Sequence, residues 1–158
     1  MLSFVPVFLL AIAAPIPLPE PANSILAVQA GGVQIYRCDA TASPAPKWVL
    51  DHPEAALFRD DGSAFGRHTT GPSWIADDGS RIVGDGAAPI TVMKQPDSVP
   101  WLLLRITMHS GTGILQDARF VERYDTRGGL APSAETCDLQ HSDQRRAVHY
   151  SAVYEFFK

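Results

Sequence analysis

What this chain lacks narrows its function more than what it contains. There is no excess of basic residues: 13 Lys and Arg against 17 Asp and Glu leave a formal net charge of −4. The electrostatic footprint of a nucleic-acid-binding protein is therefore missing. No G-x-G-x-x-G follows a candidate strand and no βαβ alternation is present, so nothing supports a nucleotide fold. Gly111-Thr112-Gly113 runs on into Ile114-Leu115-Gln116 instead. No serine sits in G-x-S-x-G, and Ser73 and Ser110, both near histidines in sequence, lie in turn-like settings. The five histidines, His52, His68, His109, His141 and His149, form no H-x-H, H-x-x-x-H or H-E-x-x-H pattern. Aspartates are plentiful, but nothing selects a pair of carboxylates for glycoside hydrolysis.

Long hydrophobic runs are also scarce. The apolar segment Leu2 to Ala14 is too short for an ordinary transmembrane helix. It reads as an export signal with an A-x-A cleavage site at Ala11-Ile12-Ala13, although Lys and Arg are missing ahead of it. Cleavage after Ala13 is expected, with a retained membrane anchor as the alternative. No cysteine follows the run, so a lipoprotein anchor is excluded. Residues 1–13 carry no charge, so the mature chain keeps −4 and has no transmembrane span. Residues 14–29, with Pro15, Pro17, Pro19 and Pro21, read as an extended polyproline-like lead. A single domain is expected over residues 30–158, in a secreted or periplasmic protein.

Cysteine is scarcer still: Cys38 and Cys137 are the only two. Export places them in an oxidising compartment and favours a disulfide over buried free thiols or a Cys/His metal pair. Such a bond would close a loop of about 100 residues, worth roughly 4.7 kcal/mol in the chain-entropy picture.

Turn-forming residues and β patterning are abundant. Thirteen Pro and twelve Gly accompany a hydrophobic fraction of 46%, which suits many short strands. The sequence from Phe65 to Asp85 is the densest stretch. It contains Asp77-Asp78-Gly79-Ser80, an echo of Asp60-Asp61-Gly62-Ser63 17 residues earlier. Asp-Gly between apolar residues predicts hairpin turns, because Gly accepts positive φ and the Asp side chain bonds nearby amides. Two successive hairpins are expected, with Gly71-Pro72 between them. The same carboxylates could hold calcium, but no EF-hand spacing accompanies them.

Elsewhere Val33 to Cys38 and Trp48 to Leu50 read as strands, and Asp51-His52-Pro53-Glu54 as a turn with one helical turn through Ala56. In Trp101 to Met108 the period-two set Leu102, Leu104, Ile106 and Met108 predicts a buried face, with Ile114 to Tyr124 as hairpin partner. Val148, Tyr150, Ala152, Tyr154 and Phe156 alternate as a last strand. With no convincing helix, the expected fold is an all-β antiparallel β-sandwich, with a β-barrel as the alternative.

The order of short motifs resembles a known family. It runs Tyr36-Arg37-Cys38, Trp48-Val49-Leu50 with Pro53-Glu54-Ala55, then His68 before Gly71-Pro72-Ser73-Trp74, Asp78-Gly79-Ser80 and Val83-Gly84. Pro100-Trp101-Leu102-Leu103, Arg123, Thr126, Gly128-Gly129, Pro132 and Cys137 follow, and Tyr150 to Phe156 ends the series. This set resembles the domain-of-unknown-function family 3455, found in secreted bacterial and fungal proteins. The resemblance implies export and a compact domain, without a chemistry. Some fungal members carry a malate dehydrogenase label, which the residues here do not support.

Three functional expectations follow. The first is a non-enzymatic binding module for a cell-surface glycan, a small ligand or a protein, through His68, Trp74 and Asp78 with Arg123 nearby. Trp48, Trp74 and Trp101 invite the glycan reading if their rings are exposed and a core role if they are not. Arg123, Thr126 and Gly128-Gly129 could form an anion nest, or a capped turn with an ion pair. The second expectation is a metal protein or metal-dependent enzyme in which His68, His109 and His149 converge on Cu or Zn. A structural envelope protein without a small ligand is a third.

Overall fold

The computed structural model describes residues 20–158. The export signal expected over 1–13 and the first part of the expected proline-rich lead lie outside the described residues. Nine strands make up the domain: β1 Ser24–Asp39, β2 Lys47–Phe58, β3 Ala64–Thr69, β4 Ser73–Ala76, β5 Arg81–Gly84, β6 Thr91–Met93, β7 Trp101–Ser110, β8 Phe120–Gly128 and β9 Arg145–Phe157. Helix among the described residues is limited to three single turns of 3-10 geometry. None is long and apolar enough to cross a membrane.

All strands belong to one antiparallel sheet in the order β5-β4-β3-β2-β1-β9-β8-β7-β6. β5 also pairs with β7, from Arg81↔Ser110 to Gly84↔Ile106, so the sheet returns on itself. Eight strands form an unbroken circuit of pairings, and β6 lies on the remaining length of the same β7 edge. The circuit encloses the main core, to which Val28, Leu57, Phe65, Trp74, Ile82, Leu104, Val121, Tyr154 and Phe156 contribute.

Alternation decides which residues enter that core. On β9, Tyr150, Ala152, Tyr154 and Phe156 all point inward, as their period of two requires. On β7, Leu104 and Ile106 are core and Leu102 packs against it, while Met108 is 61% exposed. Met108 lies opposite Val83 where the short β5 covers the end of β7, beyond the enclosed volume. The other face of β7 is also used, since Leu103 joins Phe120 and Phe157 in a smaller cluster outside the circuit.

The doubled Asp-Gly-Ser signal forms the turns it predicts. Gly62 and Gly79 both take positive φ, 81° and 93°. In each turn the Asp before the Gly accepts the amide of the Ser after it, Asp61 from Ser63 and Asp78 from Ser80, both at 2.9 Å. The strands β2 to β5 then run as a meander. The expected disulfide joins Cys38 to Cys137. It ties the loop before β9 to the end of β1 and packs with Tyr36, Ala40 and Trp48 in a second cluster.

Three boundaries differ from the sequence reading. The lead is shorter than residues 14–29: β1 begins at Ser24, because β9 runs to the end of the domain and pairs with it from Ser24↔Phe157 onward. Asp51 to Glu54 is strand, not turn. β3 pairs only with Ala55 to Phe58, so β2 is a free edge before that point and Pro53 is tolerated there without an amide to offer. The partner of β7 starts at Phe120, and residues 114–119 form a loop closed by Ala118 N to Leu115 O.

Candidate functional site

The short strands β3 to β6 do not cover the long strands β1, β2 and β9 along their whole length, and a cavity of about 810 Å³ opens there. Its rim runs from Leu50 to Pro53 on the free edge of β2 to the loops at Gly71-Pro72, Asp85 to Ala87 and Val99-Pro100. Inside, β1 supplies Gln34 and Tyr36, β3 His68, β4 Trp74, β8 Arg123 and β9 Tyr154. The volume and the mostly apolar walls with a few polar groups are those of small-ligand sites.

His68 is the most constrained of these side chains. It is 3% exposed, stacked on Trp74 at 4.5 Å between ring centroids, and tilted against Tyr154 at 4.9 Å. Its Nδ1 donates to Ser73 O at 2.8 Å. Burial pushes its pKa down to about 3; the Ser73 hydrogen bond opposes this, and the Arg123 charge adds to it. The ring is therefore neutral across the physiological range, with Nδ1 protonated and Nε2 left as an acceptor. So weak a base is poorly matched to general-base catalysis near pH 7.

Trp74 is 1% exposed and makes edge contacts with Tyr154 and Phe156. Its ring fills the core and presents no face to solvent on which a surface glycan could stack. Its Nε1 and the Oε1 of Gln34, a residue 1% exposed, have no hydrogen-bond partner among the described residues. Orphaned buried polar atoms are uncommon and call for an explanation.

Arg123 donates through Nε and Nη2 to Pro100 O, at 2.9 and 2.7 Å. Thr126 Oγ1 donates to Val99 O at 2.7 Å, and Val99 N to Gly128 O at 2.9 Å. The anion nest expected from Arg123, Thr126 and Gly128-Gly129 does not form, because these groups hold the 98–100 segment at the cavity rim. The capped-turn alternative loses its ion pair too, since Arg123 has no carboxylate partner among the described residues.

Of the four ligand residues expected from sequence, His68, Trp74 and Arg123 line the cavity and Asp78 does not. Asp78 sits in the β4–β5 turn, where it accepts from Ser80 N, Ser80 Oγ and Ile114 N. These bonds hold its carboxyl below the usual range, the one from Ile114 first. Its oxygens serve the turn, which answers the calcium reading.

The three histidines weighed as metal ligands are dispersed. His68 is in the cavity wall. His109 on β7 donates from Nε2 to Ala118 O at 2.6 Å, beside a separate shallow site with Arg119 and Lys158. His149 is exposed on β9 opposite Val33. Among the described residues no group of three or more His, Cys, Asp or Glu is placed to hold a metal ion.

Sequence reasoning missed Gln34, Tyr36 and Tyr154. The signal was present for Gln34: it is the one polar residue on the inward set Val28, Ala30, Gly32, Gln34, Tyr36, Cys38 of β1.

The fold and cavity define a closed antiparallel β-domain, stapled by one disulfide and hollow at one end. The chain belongs to the family described as protein of unknown function, DUF3455, which matches residues 19–158. No curated protein and no solved structure matches it.

Proposed function

We propose that this is an exported, non-enzymatic binding domain that takes a small molecule into the cavity between β2 and the 98–100 segment. The observation that carries this reading is the cavity itself, about 810 Å³ beside two orphaned polar atoms, Gln34 Oε1 and Trp74 Nε1. Apolar walls would supply affinity, and a few polar groups on rigid strands would supply orientation. The disulfide fits the secreted or periplasmic location expected from the sequence. The depressed basicity of His68 favours binding over acid–base catalysis.

The test is a thermal-shift and calorimetric screen of small metabolites against the mature, untagged domain. Ala87, exposed in the rim loop, is changed to Trp in a parallel protein to plug the mouth without touching the core. The reading expects ligands that raise Tm in the native domain and not in Ala87→Trp. Hits that bind both proteins equally would place binding elsewhere and end it.

A second reading rests on β6, an edge strand whose Val92 and Met93 are 52% and 54% exposed. An edge of this kind can accept a strand from an envelope protein. Cross-linking from residue 92 in envelope extracts separates it from the cavity reading.

A further inference from the structure

Resting on the cavity reading, we infer that the ligand is a monoanionic carboxylic acid with an apolar body, its carboxylate held by Arg123. The guanidinium is half-buried in the cavity wall, and no carboxylate among the described residues pairs with it. Two of its five N–H groups are taken by Pro100 O. Nη1 has no hydrogen-bond partner among the described residues. That grip fixes the plane of the group while leaving one amino group and the charge for something else.

The surroundings sharpen the choice of partner. Burial raises the pKa of Tyr36 and Tyr150 and lowers that of His68; the Arg123 charge opposes the first two shifts and adds to the third, so the cation is felt at this end of the core. The other charges at the rim are already committed. Asp51 pairs with Arg145 at 3.0 Å and faces His52 at 3.5 Å, and Asp85 accepts from Ala88 N at 3.1 Å. His68 is uncharged. One unpaired cation with two acidic residues at the entrance suits a single negative charge and disfavours a phosphate dianion. Leu102, Leu104 and Val83 give the rest of the ligand a largely apolar wall, with Gln34 Oε1 and Trp74 Nε1 as the nearby polar atoms. A planar carboxylate matches the guanidinium fork, and such a bond is stronger in a partly dry site than in water.

The experiment compares octanoate, phenylbutyrate and naphthoate, each with its primary amide, by calorimetry on the mature domain and on Arg123→Gln. The amides keep the shape and one acceptor oxygen, and lose the charge together with the second acceptor. At least one acid is expected to bind the native domain tenfold or more tightly than its amide, about the strength of one charged hydrogen bond. Arg123→Gln should abolish that preference while leaving amide binding in place. Acid and amide binding equally in the native domain would overturn the inference and leave the cavity reading standing. Binding of neither would overturn both for ligands of this class. The comparison in the native domain needs no variant, so a misfolded Arg123→Gln leaves the acid-against-amide result intact.

Discussion

Acidification should unfold this domain through His68. The folded pKa lies near 3 against 6.5 for an unperturbed histidine. Between those values the unfolded chain holds a proton at this site and the folded chain does not. Stability is therefore complete above about pH 6.5 and falls as the pH drops, at about 1.4 kcal/mol per unit. From about pH 7 to about pH 4.5 the loss from this one group is about 2.5 kcal/mol. That is a large part of the stability of an ordinary domain. Solvent screening takes little from this figure, because the ring is only 3% exposed.

Other groups do not imitate the effect in this window. Asp61, Asp78 and Asp138, each held below 3.8 by hydrogen bonds, give up their stabilisation only below about pH 4. Glu122, raised by burial and by Glu155, works in the opposite direction. The assay is urea unfolding of the native domain and His68→Asn at several pH values. Asn keeps a donor for Ser73 O but cannot titrate, so its absolute stability matters less than its slope. The two slopes should differ by about 1.4 kcal/mol per pH unit above about pH 4.5. Parallel slopes would mean that His68 is protonated in the folded state, and the reading of a neutral buried imidazole would fall.

Three further outcomes are expected. Replacing Cys38 and Cys137 together by Ala should cost roughly 4 kcal/mol, measured by chemical denaturation, because the bond closes a loop of 99 residues. Gly32→Ala should misfold or lose more than about 3 kcal/mol, since a Cβ there would run into Glu54 O and lie 2.5 Å from Ala55 Cα; circular dichroism and thermal melting report it. Tyr36→Phe should cost about 1–3 kcal/mol in urea unfolding, because Gly129 O loses the 2.6 Å hydrogen bond it accepts from the phenol.

Local chemistry made much of the fold readable. The two Asp-Gly-Ser turns need only Gly at positive φ and an Asp within reach of the amide two residues on, so they form wherever the strands lie. The inward set on β9 follows from its period of two, and the disulfide was legible from the expected export and a cysteine count of two. Pro53 misled because a proline reads as a strand breaker until it is known that the strand has a free edge. Asp78 misled for a related reason: proximity to Trp74 along the chain suggested a shared face, but the turn carries its carboxylate away to Ile114.

By itself, the sequence determined the all-β class, the hairpins, the covalent staple and three of the cavity residues, His68, Trp74 and Arg123, because these depend on periodicity, turn chemistry and residue type. The tertiary structure decided the closure of the sheet through β5 and β7, the hollow left where β3 to β6 fall short, and the isolation of Arg123 from any carboxylate among the described residues. It also separated His68 from His109 and His149. Each of these depends on which distant strands become neighbours, and the energy that selects those neighbours is non-directional burial summed over the whole core, which leaves no local mark on the chain.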